Sequence, residues 1–410
     1  MAGGDESDRL VDGDADGGAV TPSPARSTGL LPSQEIRALI ASQEIRAPDG
    51  IGEDQIQPAS LDLRLGDEAF RVRASFLPGP NATVRERIEA FGMHRIDLAG
   101  SAVLEKGCVY IVPLQESLAL RHRTSGIANP KSSTGRLDVF TRLITDHASM
   151  FDQVAPGYKG PLYAEISPRT FSVVVRSGSR LGQLRLRRGN PTASDTALRR
   201  LHRVVPLVAS GTGGGEESVA GPGAGGGVGA RGETVADIDE GIAVTVDLQP
   251  GGTGAPAGWR ARRHTDLIDL ALVDHYRRDD YWEPVFPDAG GSVVLNPGDF
   301  YILASSEAVT VPPDHAAEMR PYDTRVGEFR VHYAGFFDPG FGYAGTGGSG
   351  SRAVLEIRSF EVPFALRHGQ LVGRLVYERL TAAPDKLYGA GIGSSYQRQG
   401  LQLAKQFRRE

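Results

Sequence analysis

A chain of 410 residues with 40% hydrophobic content is long enough for two ordinary globular cores. A formal net charge of −5 gives no basic balance of the kind nucleic acid attracts, and no run of about 18 apolar residues is available as a membrane helix. The single cysteine, Cys108, excludes a disulfide framework and CxxC zinc sites, and fits a reducing cytoplasm; with neither H-x-E nor H-E-x-x-H present, zinc hydrolases and zinc deaminases are disfavoured.

In chain order, the acidic, polar start MAGGDESDRLVDGDADGG is unlike a secretory signal, and residues 1–28 are expected to be disordered. After Pro32-Ser33, QEIRALIASQEI places apolar residues at 36, 39, 40 and 45 and predicts a short N-terminal helix with Ser33 as its N-cap. In QIQPASLDLRLG, Asp62 and Arg64 alternate with Leu61, Leu63 and Leu65, which predicts a half-buried strand; the two charges are either a surface ion pair or functional. Runs such as CVYIVPL, FSVVVRS, VVLNPGDFYIL and VGRLVYERL, separated by Gly, Pro and Asp turns, predict a mostly β protein of barrels or sandwiches built like jelly rolls. A shorter helical piece is expected over 266–276.

The stretch NPKSSTGRLDVF puts Lys131, Ser132, Ser133, Thr134 and Arg136 within six residues. Hydroxyls, a lysine and turn amides suit the clustered negative charge of a polyphosphate, and Arg136 could reach a phosphate or hold a water; a polar hairpin turn is the structural alternative. Glu165 and Glu356 each sit mid-strand among apolar residues. A carboxylate there is costly unless paired or functional, and burial would raise its pKa toward that of a general base; an outward-facing Glu is the alternative. The glycine-rich segment 209–234 reads as a linker or surface insertion, because it lacks the Gly-Lys-Ser/Thr of a phosphate-binding loop. The tail DKLYGAGIGSSYQRQGLQLAKQFRRE is either a lid or a frayed terminus.

The chain also repeats itself. LEKGCVYIVPLQESLAL from Leu104 returns as LNPGDFYILASSEAVTV from Leu295, Glu165 of PLYAEI returns as Glu356 of AVLEI, and RSGSRLGQLRL from Arg176 returns as RHGQLVGRLVY from Arg367, each 191 residues on. One offset for three matches argues for tandem duplication of a domain, with 29–208 and 235–410 as the two copies. The Pro156-Gly157 and Pro339-Gly340 pairs are closer in offset, so the second copy carries a longer loop, GYAGTGGSGS.

Together, QPASLDLRLG, KSSTGR, YAGFFDPGFG followed by AVLEI, and SSYQRQGLQLAKQF make the sequence resemble the dCTP deaminases of the trimeric-dUTPase superfamily, in a long form with two dUTPase-like domains in tandem. The resemblance covers roughly residues 30–408 apart from the glycine-rich segment. It implies that Lys131, Ser132, Ser133 and Arg136 grip the triphosphate, and that Tyr388 and Gln399 contact nucleotide from a closing arm. Where the family has a lysine before its Tyr-Gln, this chain has Ser395, for which Lys386 or Lys405 are the candidate substitutes. The first copy keeps the serines but has Ala155 where the family has Asp; the second keeps Ala334, Asp338, Val354, Leu355 and Glu356 but has Pro321-Tyr322-Asp323-Thr324-Arg325 where the serines belong. This complementarity implies a composite site, with Glu356 preferred over Glu165 as base.

By the same resemblance the reaction is zinc-free hydrolysis of the amidine C–N bond of dCTP to dUTP and ammonia. Glu356 would deprotonate a water held near Ala334, Ser132 and Arg136, hydroxide would attack C4, and ammonia would leave after proton return from the same Glu. Mg²⁺ would ride on the phosphates, with no protein ligands. A bifunctional deaminase that continues to dUMP and pyrophosphate, a plain dUTPase and a nucleotide-binding regulator are the competing readings. The expected partners are dCTP, dTTP as a candidate feedback inhibitor, and further copies of the chain in a homo-oligomer, a trimer being one arrangement; the expected location is cytoplasmic.

Overall fold

The run CVYIVPL becomes the middle strand of a sheet. The computed structural model describes residues 26–210, 236–250, 254–320, 335–359, 361–389 and 400–409, with the backbone of 329–331. Strand Val109–Ala119 pairs antiparallel with Lys159–Pro168 on one edge and Glu68–Val72 on the other. A second sheet centres on Arg180–Arg188, flanked by Thr124–Pro130 on one side and by Leu61–Arg64 and Gly29–Leu30 on the other. Alternate residues turn inward, so Leu61, Leu63, Leu184 and Leu186 of one sheet meet Leu118, Leu143 and Leu162 of the other. Each leucine so buried contributes about 1.5–3 kcal/mol. Helix Ser33–Ala41 adds Ile36 and Leu39 to this core. Pro32 takes the N-cap position, so Ser33 is the first helical residue, and its hydroxyl bonds Asp385 instead of a helix amide.

The second half repeats the first in register. Ile111 faces Glu165 as Ile302 faces Glu356, and Thr124 faces Arg188 as His315 faces Arg379. The repeat starts earlier than its sequence shows. Leu30, helix Ser33–Ala41 and Ile45 (paired with Leu118) are matched by Thr192 (bridged to Glu378), helix Asp195–Val204 and Val208 (paired with Val309). Leu198, Leu207 and Val208 lie in the core of the second half, so residues 192–208, assigned to the first copy on sequence, pack with the second. The glycine-rich residues 211–235 lie outside the described residues. They leave Ser210 and return at Ala236 between two strands of the second half, which makes them an insertion within that copy.

The halves share a core in which Leu137, Val139 and Phe171 of the first meet Trp282, Phe300 and Ile302 of the second. Strand Val173–Val175 runs parallel to Ile268–Asp269 across this seam. That pairing replaces the helix expected over 266–276. Arg176 grips Asp269 with two hydrogen bonds of 2.7 and 2.9 Å, and the Tyr276 hydroxyl accepts from the Asp269 amide, so the segment is held extended; the helical turn comes later, at Arg278–Tyr281. Leu403, Ala404 and Phe407 are buried in the shared core, so the end of the tail is packed and not frayed. Among the described residues no helix is long and apolar enough to cross a membrane.

Candidate active site

The segment NPKSSTGR joins strands of different sheets, so it is not a hairpin. Thr124–Pro130 ends at a proline, and Lys131, itself extended, precedes one helical turn, Ser132–Gly135. The Lys131 amide is fixed to the Leu181 carbonyl (2.8 Å), and the Lys131 carbonyl accepts from Thr134 and Gly135. The turn leaves Ser132 and Ser133 half-buried, with hydroxyls that hold no hydrogen bond among the described residues. Lys131 is paired with Asp62, which is buried and not on the surface; Asp62 Oδ1 has no hydrogen-bond partner among the described residues. Arg64 is held by buried Glu116 at 2.8 Å, so neither charge of LDLR forms a surface pair. Arg136, 3% exposed, donates from Nη1 to the Gln402 carbonyl at 2.9 Å, which ties the turn to the C-terminal tail.

Glu356 comes from the other half. On strand Ser351–Ser359 the alternation sends Leu355 into the second-half core, while Val354 packs against the core shared by both halves. Glu356 is 6% exposed, and its Oε1 lies 3.9 Å from Arg136 Nε. Burial pushes its carboxyl up to about 7, with the Arg136 guanidinium pulling the other way and Asp138 adding a smaller upward push. Such a group is ionisable near neutral pH and suits proton transfer.

Asp338 follows strand Phe336–Phe337, which pairs with His315–Arg320. Burial raises its carboxyl, opposed by Arg185. Arg185, fully buried on a first-half strand, donates to the Ala317 and Phe337 carbonyls (2.9 and 3.0 Å) and to Asp338 Oδ1 (3.1 Å), and lies over the Phe336 ring at 3.9 Å. Tyr388 donates its amide to the Pro339 carbonyl (2.8 Å) and packs on Phe341, so the arm starts from the Asp338 turn. Ala334 and Gln399 lie outside the described residues.

Beside the Lys131 turn is a cavity of about 390 Å³ lined by Asp62, Lys131, Ser133, Arg176, Arg180 and Lys405, among others. Of its four cations, Lys131, Arg176 and Arg180 are paired with Asp62, Asp269 and Asp54, and Lys405 adds a further positive charge, a cluster suited to an anion. Burial and the nearby Lys131 charge lower the Lys405 ammonium's pKa. Lys386 is elsewhere, paired with Glu53 at 2.8 Å.

Both carboxylate oxygens of Glu165, the alternative base, are engaged within the first half. Its oxygens take hydrogen bonds from Arg142 (3.0 Å) and Ser75 (2.6 Å), Arg142 is flanked by Phe140 and Phe151, and none of its bonds reaches residues 131–136. Sequence reasoning missed Arg185, Asp138 and Arg358. Arg185 and Arg358 lie on the strand faces that alternation marks as outward and are covered by the other half, and Asp138 sits in the turn before strand Val139–Thr145.

The two sandwiches and the seam between them have the dUTPase-like fold of a nucleotide-processing enzyme. The chain aligns with a crystal structure of 2'-deoxycytidine 5'-triphosphate deaminase from Agrobacterium tumefaciens with a TM-score of 0.78 and 49% identity, covering 88% of this chain and 100% of that one. The family model for the 2'-deoxycytidine 5'-triphosphate deaminase N-terminal domain matches residues 27–190, and that for its C-terminal domain matches 228–407. This chain belongs to the dCTP deaminase family. Proteins named "dCTP deaminase, dUMP-forming" from Halobacterium salinarum (33% identical over 134 residues) and Mycolicibacterium vanbaalenii (34% over 127) match 32% and 30% of this chain. The chain spans 64% and 63% of those proteins' lengths.

Proposed function

We propose that this protein deaminates dCTP and carries the product on to dUMP and pyrophosphate. The observation that carries the deaminase part is Glu356 facing Arg136 across the seam, at the end of the Lys131–Ser133 turn. Ionised Glu356 takes a proton from a water, the hydroxide adds to C4 of the cytosine, and the proton returns to the amino group as the C–N bond breaks and ammonia leaves. Arg136 steadies the developing charge, and the Ser132 and Ser133 hydroxyls and Lys131 orient the phosphates. In the continuation a second water attacks the α-phosphorus and pyrophosphate leaves, its charge held by the cation-lined cavity. Mg²⁺ would enter on the triphosphate; Asp62, whose Oδ1 is unsatisfied, is the lining carboxylate suited to its bound water.

Support for dUMP as product comes from the names of the relatives from Halobacterium and Mycolicibacterium. The Agrobacterium structure's name, which mentions deamination alone, favours the second reading, release of dUTP. Incubation with dCTP and Mg²⁺, followed by chromatography and an ammonia assay, separates them. Ammonia with equimolar dUMP and pyrophosphate is expected; ammonia with dUTP would establish the monofunctional reading, and no ammonia would end both.

The cavity also predicts which lysine does the work of the arm lysine that Ser395 replaces. Lys405→Ala is expected to raise KM for dCTP about tenfold, the loss of one charge-assisted phosphate contact. Lys386→Ala, which leaves Glu53 still held by Arg37, is expected to leave KM within about twofold. Steady-state kinetics on both variants check the assignment.

A further inference from the structure

We propose that Asp138 and Arg358 are a positioning pair that sets the distance between Glu356 and the Arg136 turn. The inference rests on Glu356 being the base. Arg136 and Asp138 lie two residues apart on the first half, and Glu356 and Arg358 two apart on one strand of the second. The charges cross the seam in opposite senses: Arg136 meets Glu356, and Arg358 meets Asp138.

The second rung is far tighter than the first. Arg358 reaches Asp138 Oδ2 through Nε at 3.0 Å and again through Nη2, gives Nη2 to Thr170 Oγ1 at 2.7 Å, and gives Nη1 to the Gly298 carbonyl at 2.6 Å. Thr170 Oγ1 donates to the same Asp138 oxygen at 2.5 Å. Asp138 is fully buried, and its backbone is fixed as well: its amide donates to the Gly135 carbonyl and its own carbonyl accepts from Arg169. It takes a left-handed φ of 55°, so the chain turns sharply there before strand Val139–Thr145. The Arg136–Glu356 approach of 3.9 Å is too long for a hydrogen bond and cannot fix itself. Two residues on, the fork of Arg358 fixes it. A planar guanidinium presents its donors in a fixed fork, whereas the three donors of an ammonium rotate on a flexible stem.

Two variants separate positioning from plain stability. In the Asp138→Asn/Arg358→Leu double variant no charge is left stranded, and Asn tolerates the left-handed φ and still offers Thr170 an acceptor, so melting is expected to stay near that of the unaltered protein. Ammonia release is nevertheless expected to fall about 100-fold in kcat, the cost of a displacement of order 1 Å, with KM for dCTP within about threefold. Arg358→Lys keeps the charge and loses the fork; about tenfold lower kcat at unchanged KM is expected. Parent-level kcat in Arg358→Lys, or in a double variant that melts normally, would show that the pair only holds the halves together and would overturn the inference. A double variant that unfolds leaves the decision to Arg358→Lys. If the unaltered protein releases no ammonia from dCTP while binding it, the deaminase reading fails and this inference fails with it.

Discussion

Glu356→Gln is expected to lower ammonia release from dCTP about 10³-fold while nucleotide binding stays measurable. General acid–base groups contribute typically about 10²–10⁴-fold, and here one carboxylate serves both as base toward water and as acid toward the leaving amine. Gln keeps the shape and the hydrogen-bonding reach but cannot take the proton. Glu165→Gln, which only loosens a bond to Arg142 and Ser75, is expected to retain deamination. Activity lost in the second variant and kept in the first would transfer the base to the first half and dissolve the composite site.

The same carboxyl predicts a pH dependence. Its folded-state pKa is pushed from an ordinary 4.5 up to about 7, and the base acts ionised, so kcat/KM is expected to fall as pH drops through about 7. The stability effect has the opposite direction. The unfolded chain releases this proton near 4.5 and the folded chain holds it to about 7, so stability declines as pH rises across that window. Glu356→Gln removes the ionised form and is therefore expected to melt higher than the unaltered protein at pH 8, and about equally below pH 4.5. An unchanged melting difference between those pH values would contradict the buried, proton-holding state of Glu356.

Asp138→Ala alone is expected to destabilise the protein by about 3–5 kcal/mol, read by denaturant or thermal unfolding at neutral pH. Asp138 is the carboxylate bonded to Arg358, whose side chain is only 13% exposed. Removal leaves that guanidinium desolvated and uncompensated, and Thr170 loses its acceptor. The left-handed φ at 138 adds to the cost, because Ala tolerates it less well than Asp. A loss below about 1 kcal/mol would mean that water reaches the seam and that the two halves are not welded there.

Local patterns made much of this protein legible from its residues alone. Period-two alternation in CVYIVPL and VGRLVYERL identified strands, and the 191-residue offset paired them correctly, because strand register is set by which face must be apolar. The helix at Ser33–Ala41 was legible from its apolar spacing. Lys131, Ser132, Ser133 and Arg136 could be singled out by their clustering, Glu165 and Glu356 because a mid-strand carboxylate is expensive without a purpose, and Glu356 over Glu165 by the family resemblance. Three things were decided only by tertiary structure. The second copy begins near 192, since the helix Asp195–Val204 and strand Val208–Ser210 are recognisable as repeats only by what they pair with. Residues 268–269 are a strand because Val173–Val175 and Arg176 hold them extended, a constraint local propensity cannot contain. The covering of Arg185 and Arg358 comes from the seam: a sequence marks one face of each strand as polar, but whether that face meets water or another domain depends on how the two halves dock.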